Sequence, residues 1–456
     1  MMHLKTILFF LVMMITFNIH AQEPTINEKL TEVDDKVNGL LERLATDEAD
    51  LSKLTKIKVS GYIQAQYQNF ESPLVQPTNY LSLRRSRLKI TYEAADGVKF
   101  LLQPEFLPGA VSLREAYVVL NDPWTKAFSL WAGKFNRPNY EVEYSSSQLD
   151  NLERSLMIRT LYPGEYALGA KLEYNPINLP LHLQLALLNG NDGLTIANNA
   201  GVNLNSNENR DFDNYKDIMV RATYNLTLGS FGGFDFGGHA YFGTIKSNAL
   251  KTLSSDYTTI EDIKFGDPLS RNWVGGEFQL FADLLGGLSL KGEYIAGKNA
   301  TVGYSPVAAS GSVAAIPGVA NFQNKFSGYY LQFIKNLGKK NQFVFRYDSY
   351  DPNTDINGAN IAVKGFTSTE LATLKSKMSG KSDLATTTLG FAFHHYFDDN
   401  LRISVAYDIV QNEKVGSLGL LTEDYTQADG QKVAKGLDYG KVINQNVFTL
   451  RLQAKF

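Results

Sequence analysis

The chain has 456 residues, with 44 Lys and Arg against 47 Asp and Glu, for a formal charge of -3. This slight acidity argues against a nucleic-acid partner. The absence of cysteine excludes disulfides, thiolate metal sites and thiol nucleophiles. At the amino terminus Lys5 precedes an apolar run from Ile7 to Phe17 and a short polar step to Ala21, so residues 1–21 read as a signal peptide cleaved before Gln22. No later segment approaches twenty uninterrupted apolar residues. An exported protein without membrane helices is expected.

Residues 22–56 form a second region. Ile26, Leu30, Val33, Val37, Leu40, Leu44, Leu51 and Leu54 recur at steps of four and three, with Asp47 at the one missed seam position. Such a stripe predicts a short self-associating coiled-coil helix, a trimer for preference; a single amphipathic helix lying on the rest of the protein is the alternative.

From Ile57 to Phe456 the period changes to two. Ile57, Val59, Gly61, Ile63, Ala65 and Tyr67 oppose Lys58, Ser60, Tyr62, Gln64, Gln66 and Gln68, a run of the length a tilted membrane-spanning strand needs. Strands are expected at 57–69, 79–94, 97–107, 110–120, 126–134, 165–174, 180–189, 214–226, 231–244, 270–283, 286–298, 324–336, 339–351, 385–397, 400–412 and 443–456. In the last, Phe448, Leu450, Leu452, Ala454 and Phe456 share one face, and Thr449, Arg451, Gln453 and Lys455 the other. Even-to-odd joins are short and most odd-to-even joins long, including 135–164, 190–213, 245–269, 299–323, 352–384 and 413–442. An even strand count with segregated loop lengths predicts an all-β, transmembrane, 16-stranded antiparallel barrel, closed because an open edge in hydrocarbon leaves backbone groups unpaired.

Alternation turns Lys58, Lys134, Arg221, Arg346, Arg402, Arg451 and Lys455 toward the lumen. The second strand adds Arg84, Arg85, Arg87 and Lys89, with a phase slip near Arg84 and Arg85 that a β-bulge would produce. Charges facing lipid at midplane cost about 2–4 kcal/mol, which favours the lumen. A file of such groups would replace part of an anion's hydration shell at successive weak sites. The competing expectation is that Glu93, Glu105, Glu173, Glu277, Glu293, Asp348 and Asp408 also turn inward and pair with these arginines to stiffen the wall. The loop after the fifth strand carries Leu149, Leu152, Leu156 and Met157, which suggest a short packed helix. If it folds into the barrel, Arg137, Arg154 and Arg159 become candidates for the constriction, with Tyr140, Tyr144 and Ser145 to Ser147 as neutral hydrogen-bonding groups.

The run LRRSRLKI at 83–90 and the Gly133-Lys134-Phe135 step into that loop resemble the phosphate-selective porin O and P family, across 57–456. The resemblance implies trimers in the outer membrane, with Arg84, Arg85, Arg87 and Lys134 guiding small inorganic or organic anions, phosphate or polyphosphate among them, and no cofactor. It also implies contact with outer-membrane lipid and lipopolysaccharide, with the amino-terminal helix and the carboxyl terminus periplasmic. An acidic total charge and few external lysines depart from strong phosphate specificity.

Other classes find less support. His182, His239, His394 and His395 sit in no compact acid–base or metal-ligand motif, so neither catalysis nor a metal site is expected. A dedicated adhesin lacks a repeat or calcium-loop signature. A weakly selective general porin, or a sugar or dicarboxylate channel, stays open, because unaligned sequence does not decide which aromatics face inward.

Overall fold

The structure, a computed structural model, describes residues 26–72, 77–190, 195–197, 203–205, 214–247, 251–256, 260–264, 266–284, 286–301, 321–358, 383–415, 420–426, 432–438 and 444–456. The expected signal peptide, and much of the loops expected at 190–213, 299–323, 352–384 and 413–442, lie outside the described residues. Two units are separated at Ile57. The first contains helix α1, Ile26–Thr55, with Val37, Leu40 and Leu44 all exposed along its expected seam.

The second unit is a closed antiparallel barrel. Its sixteen strands are β1 (Ile57–Phe70), β2 (Asn79–Ala95), β3 (Val98–Leu107), β4 (Ala110–Asn121), β5 (Phe128–Asn136), β6 (Tyr166–Tyr174), β7 (Leu181–Leu188) and β8 (Asp217–Thr227). They continue as β9 (Gly232–Lys246), β10 (Pro268–Ala282), β11 (Leu288–Thr301), β12 (Asn321–Leu337), β13 (Asn341–Asp351), β14 (Thr386–Tyr396), β15 (Leu401–Asn412) and β16 (Val447–Lys455). Each pairs with the next. β16 returns to β1 in a ladder from Tyr62–Lys455 to Phe70–Val447. Every expected strand therefore coincides with a barrel strand. The short joins fall on one rim and the long ones on the other. The β3–β4 join is an exception on the long-loop rim, a two-residue turn in which Gly109 takes a positive φ of 79° that glycine adopts without steric cost.

Strand alternation gives the two faces opposite chemistry. Val59, Ile63, Leu102, Leu130, Leu185, Phe236, Val274, Phe393, Leu450 and Leu452 point outward and are exposed, a surface suited to lipid and not to water. Gln64, Gln66, Arg85, Arg87, Gln103, Lys171, Arg221, Arg346, Arg451 and Gln453 point inward and are buried. The interior is filled in part by the loop between β5 and β6, which carries two short helices, α2 (Tyr140–Glu143) and α3 (Leu156–Leu161). Val142, Met157, Ile158 and Leu161 from this loop pack with Phe135, Leu188, Met219, Trp273 and Phe326 of the wall. Burial of these apolar side chains, each about 1.5–3 kcal/mol when complete, explains why the loop lies inside the barrel.

Candidate functional site

The pore-entering loop is shaped locally before it is clamped. Asn139 caps α2 by accepting from the Val142 amide at 3.2 Å. Ser155 caps α3 while its own amide and hydroxyl donate to Glu141, at 3.1 and 3.0 Å to Oε2. Such caps satisfy amides that the first helical turn leaves unpaired. Leu149 and Leu152 lie before α3, not within it. Arg154 donates to the Tyr144 carbonyl at 2.6 Å and pairs with Glu165 at 3.1 Å. Arg137 donates to the Pro163 carbonyl at 3.1 Å. These two arginines brace the loop from within.

Wall side chains then hold successive loop carbonyls. Gln64 donates to Ser146 at 3.2 Å and Gln453 to Ser147 at 3.1 Å. His394 donates to Asp150 at 2.6 Å and Arg402 to Leu149 at 3.5 Å. Arg451 donates to Leu152 at 2.7 Å and Arg346 to Glu153 at 2.6 Å. Lys291 meets the Asp150 carboxylate at 2.7 Å. On the facing wall, Tyr140 and Tyr144 both donate to Gln279 at 2.8 Å, and Trp273 donates to Tyr162 at 2.8 Å. The loop is thus anchored to strands on opposite sides of the lumen.

Glu153 is the centre of charge. Its carboxylate pairs with Arg84 at 2.9 Å, Arg85 at 3.2 Å and Arg451 at 2.6 Å. Burial alone would raise its pKa; Arg85, Arg451 and Arg84 overcome that and hold it well below the usual carboxylate range. Arg84 keeps a side chain 39% exposed, whereas Arg85 and Arg451 are buried. Both Arg84 and Arg85 reach the loop, yet the register shift in the β2–β3 ladder lies farther along, between Glu93 and Ala95. Arg87 pairs with Glu105 at 2.8 Å and donates to the Tyr166 hydroxyl at 2.9 Å. Arg221 bridges Glu143 and Glu277, the latter at 2.6 Å. Arg346 also pairs with Asp348 at 2.9 Å. Arg402 has no carboxylate in ion-pair range among the described residues. Arg159 is exposed on α3.

Lys134 departs from its expected direction. In β5, Trp131 and Phe135 turn inward, with Phe135 fully buried, while Phe128, Leu130 and Ala132 are exposed and Lys134 shares their parity. The inward row is aromatic because the loop requires an apolar wall. Alternation therefore carries the lysine to the outer row.

Open space remains beside the loop. One cavity of about 520 Å³ is bounded by Tyr62, Lys89, Glu115, Tyr117, Trp131, Tyr166, Lys171, Glu173 and Lys455. A second, of about 370 Å³, is bounded by Tyr140, Tyr144, Arg221, Asp235 and Glu277. Glu143, Gln148 and His182 border both. Lys171 lies 4.0 Å from the Trp131 ring centre and 2.6 Å from Glu173. Sequence reasoning did not single out Lys171, although the KLEY alternation at 171–174 places it with Glu173 opposite the outward Leu172.

A closed barrel of this size, apolar outside, polar inside and narrowed by an inserted loop, defines a porin-type channel of the outer membrane. The sequence matches the family "Phosphate-selective porin O and P" over residues 57–453, and the chain belongs to that family. Among solved structures, it is similar to the anion-selective porin from Comamonas acidovorans, at 12% identity and a TM-score of 0.51, over 88% of this chain and 99% of that one. It is likewise similar to the outer membrane channel DcaP of Acinetobacter baumannii, at 10% identity and a TM-score of 0.51, over 88% and 97%. At these identities the likeness is one of fold. No curated protein sequence matches the chain.

Proposed function

We propose that this outer-membrane porin passes small hydrophilic solutes with a modest preference for anions such as phosphate. The observation that carries the reading is the convergence of Arg84, Arg85 and Arg451 on the single carboxylate of Glu153. Three cations against one anion leave local positive charge, and Arg84 and Arg159 expose theirs to solvent. In a lumen with low-dielectric walls that excess attracts anions at range. The family's description and the similarity to the anion-selective porin from Comamonas acidovorans support it.

The preference is modest because the cavities beside the loop carry cations and carboxylates in nearly equal number. Lys89, Lys171, Lys455 and Arg221 share their walls with Glu115, Glu143, Glu173, Asp235 and Glu277. A phosphate passing there meets paired cations and is not trapped. The same walls favour a second reading, a sugar channel, since Tyr62, Tyr117, Trp131 and Tyr166 line the larger cavity. In our reading the long-loop rim faces outward, both chain ends face the periplasm, and three chains assemble side by side amid lipid and lipopolysaccharide.

Reversal potential under a salt gradient in planar bilayers tests the preference. Anion selectivity is expected, reduced in Arg84→Ala with Arg159→Ala and increased in Glu153→Gln. A near-zero potential unchanged by all three substitutions overturns it. Current block by maltooligosaccharides without phosphate block would favour the sugar reading.

A further inference from the structure

Beneath the loop, the wall carries a group of side chains that the arginine clamp does not explain. His239 on β9, Glu277 on β10 and Glu293 on β11 stand on three successive strands. His239 is paired in register with Gly275, two residues before Glu277, and Glu277 is paired with Glu293. All three are buried, at 5%, 6% and 3% exposure. His239 Nδ1 lies 3.6 Å from Glu277 Oε2 and 3.9 Å from Glu293 Oε1, beyond hydrogen-bond distance.

The remaining partners fix how these groups point. Arg221 occupies Glu277 Oε1, at 2.9 Å from Nε and 2.6 Å from Nη2. Asn139 of the loop donates to Glu293 Oε1 at 2.5 Å. Both ring nitrogens of His239, with Oε2 of Glu277 and Oε2 of Glu293, are buried and have no hydrogen-bond partner among the described residues. Gly275 makes room for the ring, since a Cβ there would stand 2.6 Å from His239 Nε2. Buried polar atoms are almost always satisfied, and a cluster of unpaired ones indicates a missing ion or water.

We propose that His239, Glu277 and Glu293 bind one divalent cation of the zinc type inside the barrel wall. The donor set of one imidazole and two carboxylates suits such an ion. Ligands about 2.1 Å from a tetrahedral zinc are roughly 3.4 Å apart. The three groups offer atoms within 4.8 Å of one another, so small side-chain adjustments complete the shell. Three protein ligands leave a fourth position for water. The ion would tie β9, β10 and β11 together and, through Asn139 on Glu293, steady the start of the loop. This inference is independent of solute preference.

The test uses full-length, tag-free, detergent-folded protein, stripped with chelator and dialysed against zinc. About one zinc per chain is expected, and roughly tenfold or greater loss of affinity in Glu293→Gln and in His239→Asn, with folding verified by heat-modified gel mobility. Cobalt(II) added to the unsubstituted protein provides a reading that needs no variant, with strong visible bands expected from a low-coordinate site. Wild-type protein that binds no zinc, binding unchanged in both variants, or a weak octahedral cobalt spectrum overturns the proposal.

Discussion

Glu153 does for the loop what a bolt does for a bracket, and its protonation is the residue-scale lever. Its pKa in the seated loop lies well below the ordinary 4.5 because Arg85, Arg451 and Arg84 surround it despite its burial. Protons therefore bind more readily to the released carboxylate. Seating is fully favoured above the ordinary value and weakens as pH falls through the depressed one. Single-channel conductance is expected to hold steady from neutral pH to about 4.5 and to change only in stronger acid. Glu153→Gln is expected to abolish that acid transition and to lower stability against urea by about 3 kcal/mol, the scale of a broken buried pair. An acid transition identical in the variant would assign it to another group.

At the scale of elements, period-two alternation made the barrel legible. Each strand reports its own two faces, so the sixteen spans and both rims could be read from Ile57 to Phe456 without tertiary information. The site was legible only in composition. Alternation marks Arg84, Arg85, Arg346, Arg402 and Arg451 as lumen cations, but it does not show that Arg402, Arg451 and Arg346 catch the loop carbonyls of Leu149, Leu152 and Glu153 or that Arg84 and Arg85 hold the Glu153 carboxylate. Contacts such as Arg451 to Glu153 span 298 residues, and alternation says nothing about what lies across the lumen. Lys134 shares parity with the exposed Phe128, Leu130 and Ala132 of its strand, and the inward row there is taken by Trp131 and the buried Phe135, which the sequence alone does not single out. The metal-like cluster was hidden for a related reason: His239, Glu277 and Glu293 are close only through register. For α1, the exposed Val37, Leu40 and Leu44 fit the proposal that the helix self-associates. Leu40→Asn with Leu44→Asn is expected to reduce chemical cross-linking of the amino-terminal segments while leaving the barrel's folded gel mobility intact. Cross-linking unchanged by the pair would remove the coiled coil.

For the whole molecule, closure rests on β1 against β16 and on the last residue. Gly61 exchanges backbone hydrogen bonds with Phe456, each at 3.0 Å. A Cβ at Gly61 would stand 2.6 Å from the Arg87 carbonyl and 2.7 Å from the Phe456 ring. Gly61→Val is therefore expected to displace the terminal aromatic and lower the temperature at which the barrel loses its folded gel mobility. The milder Phe456→Leu should retain more of it. Equal mobility for Gly61→Val and the unsubstituted protein would show that the seam tolerates the side chain.

The loop clamp also ties the constriction to the closing of the barrel. The loop is complete by residue 165, but several of its anchors, Arg346, His394, Arg402, Arg451 and Gln453, belong to the last strands of the chain. Until β16 meets β1, Glu153 lacks Arg451 and the loop lacks much of its seat. Closing the seam removes the open edge and at the same time completes the charged half of the loop's seat, so the residues that seal the wall are also the ones that fix how narrow the channel is.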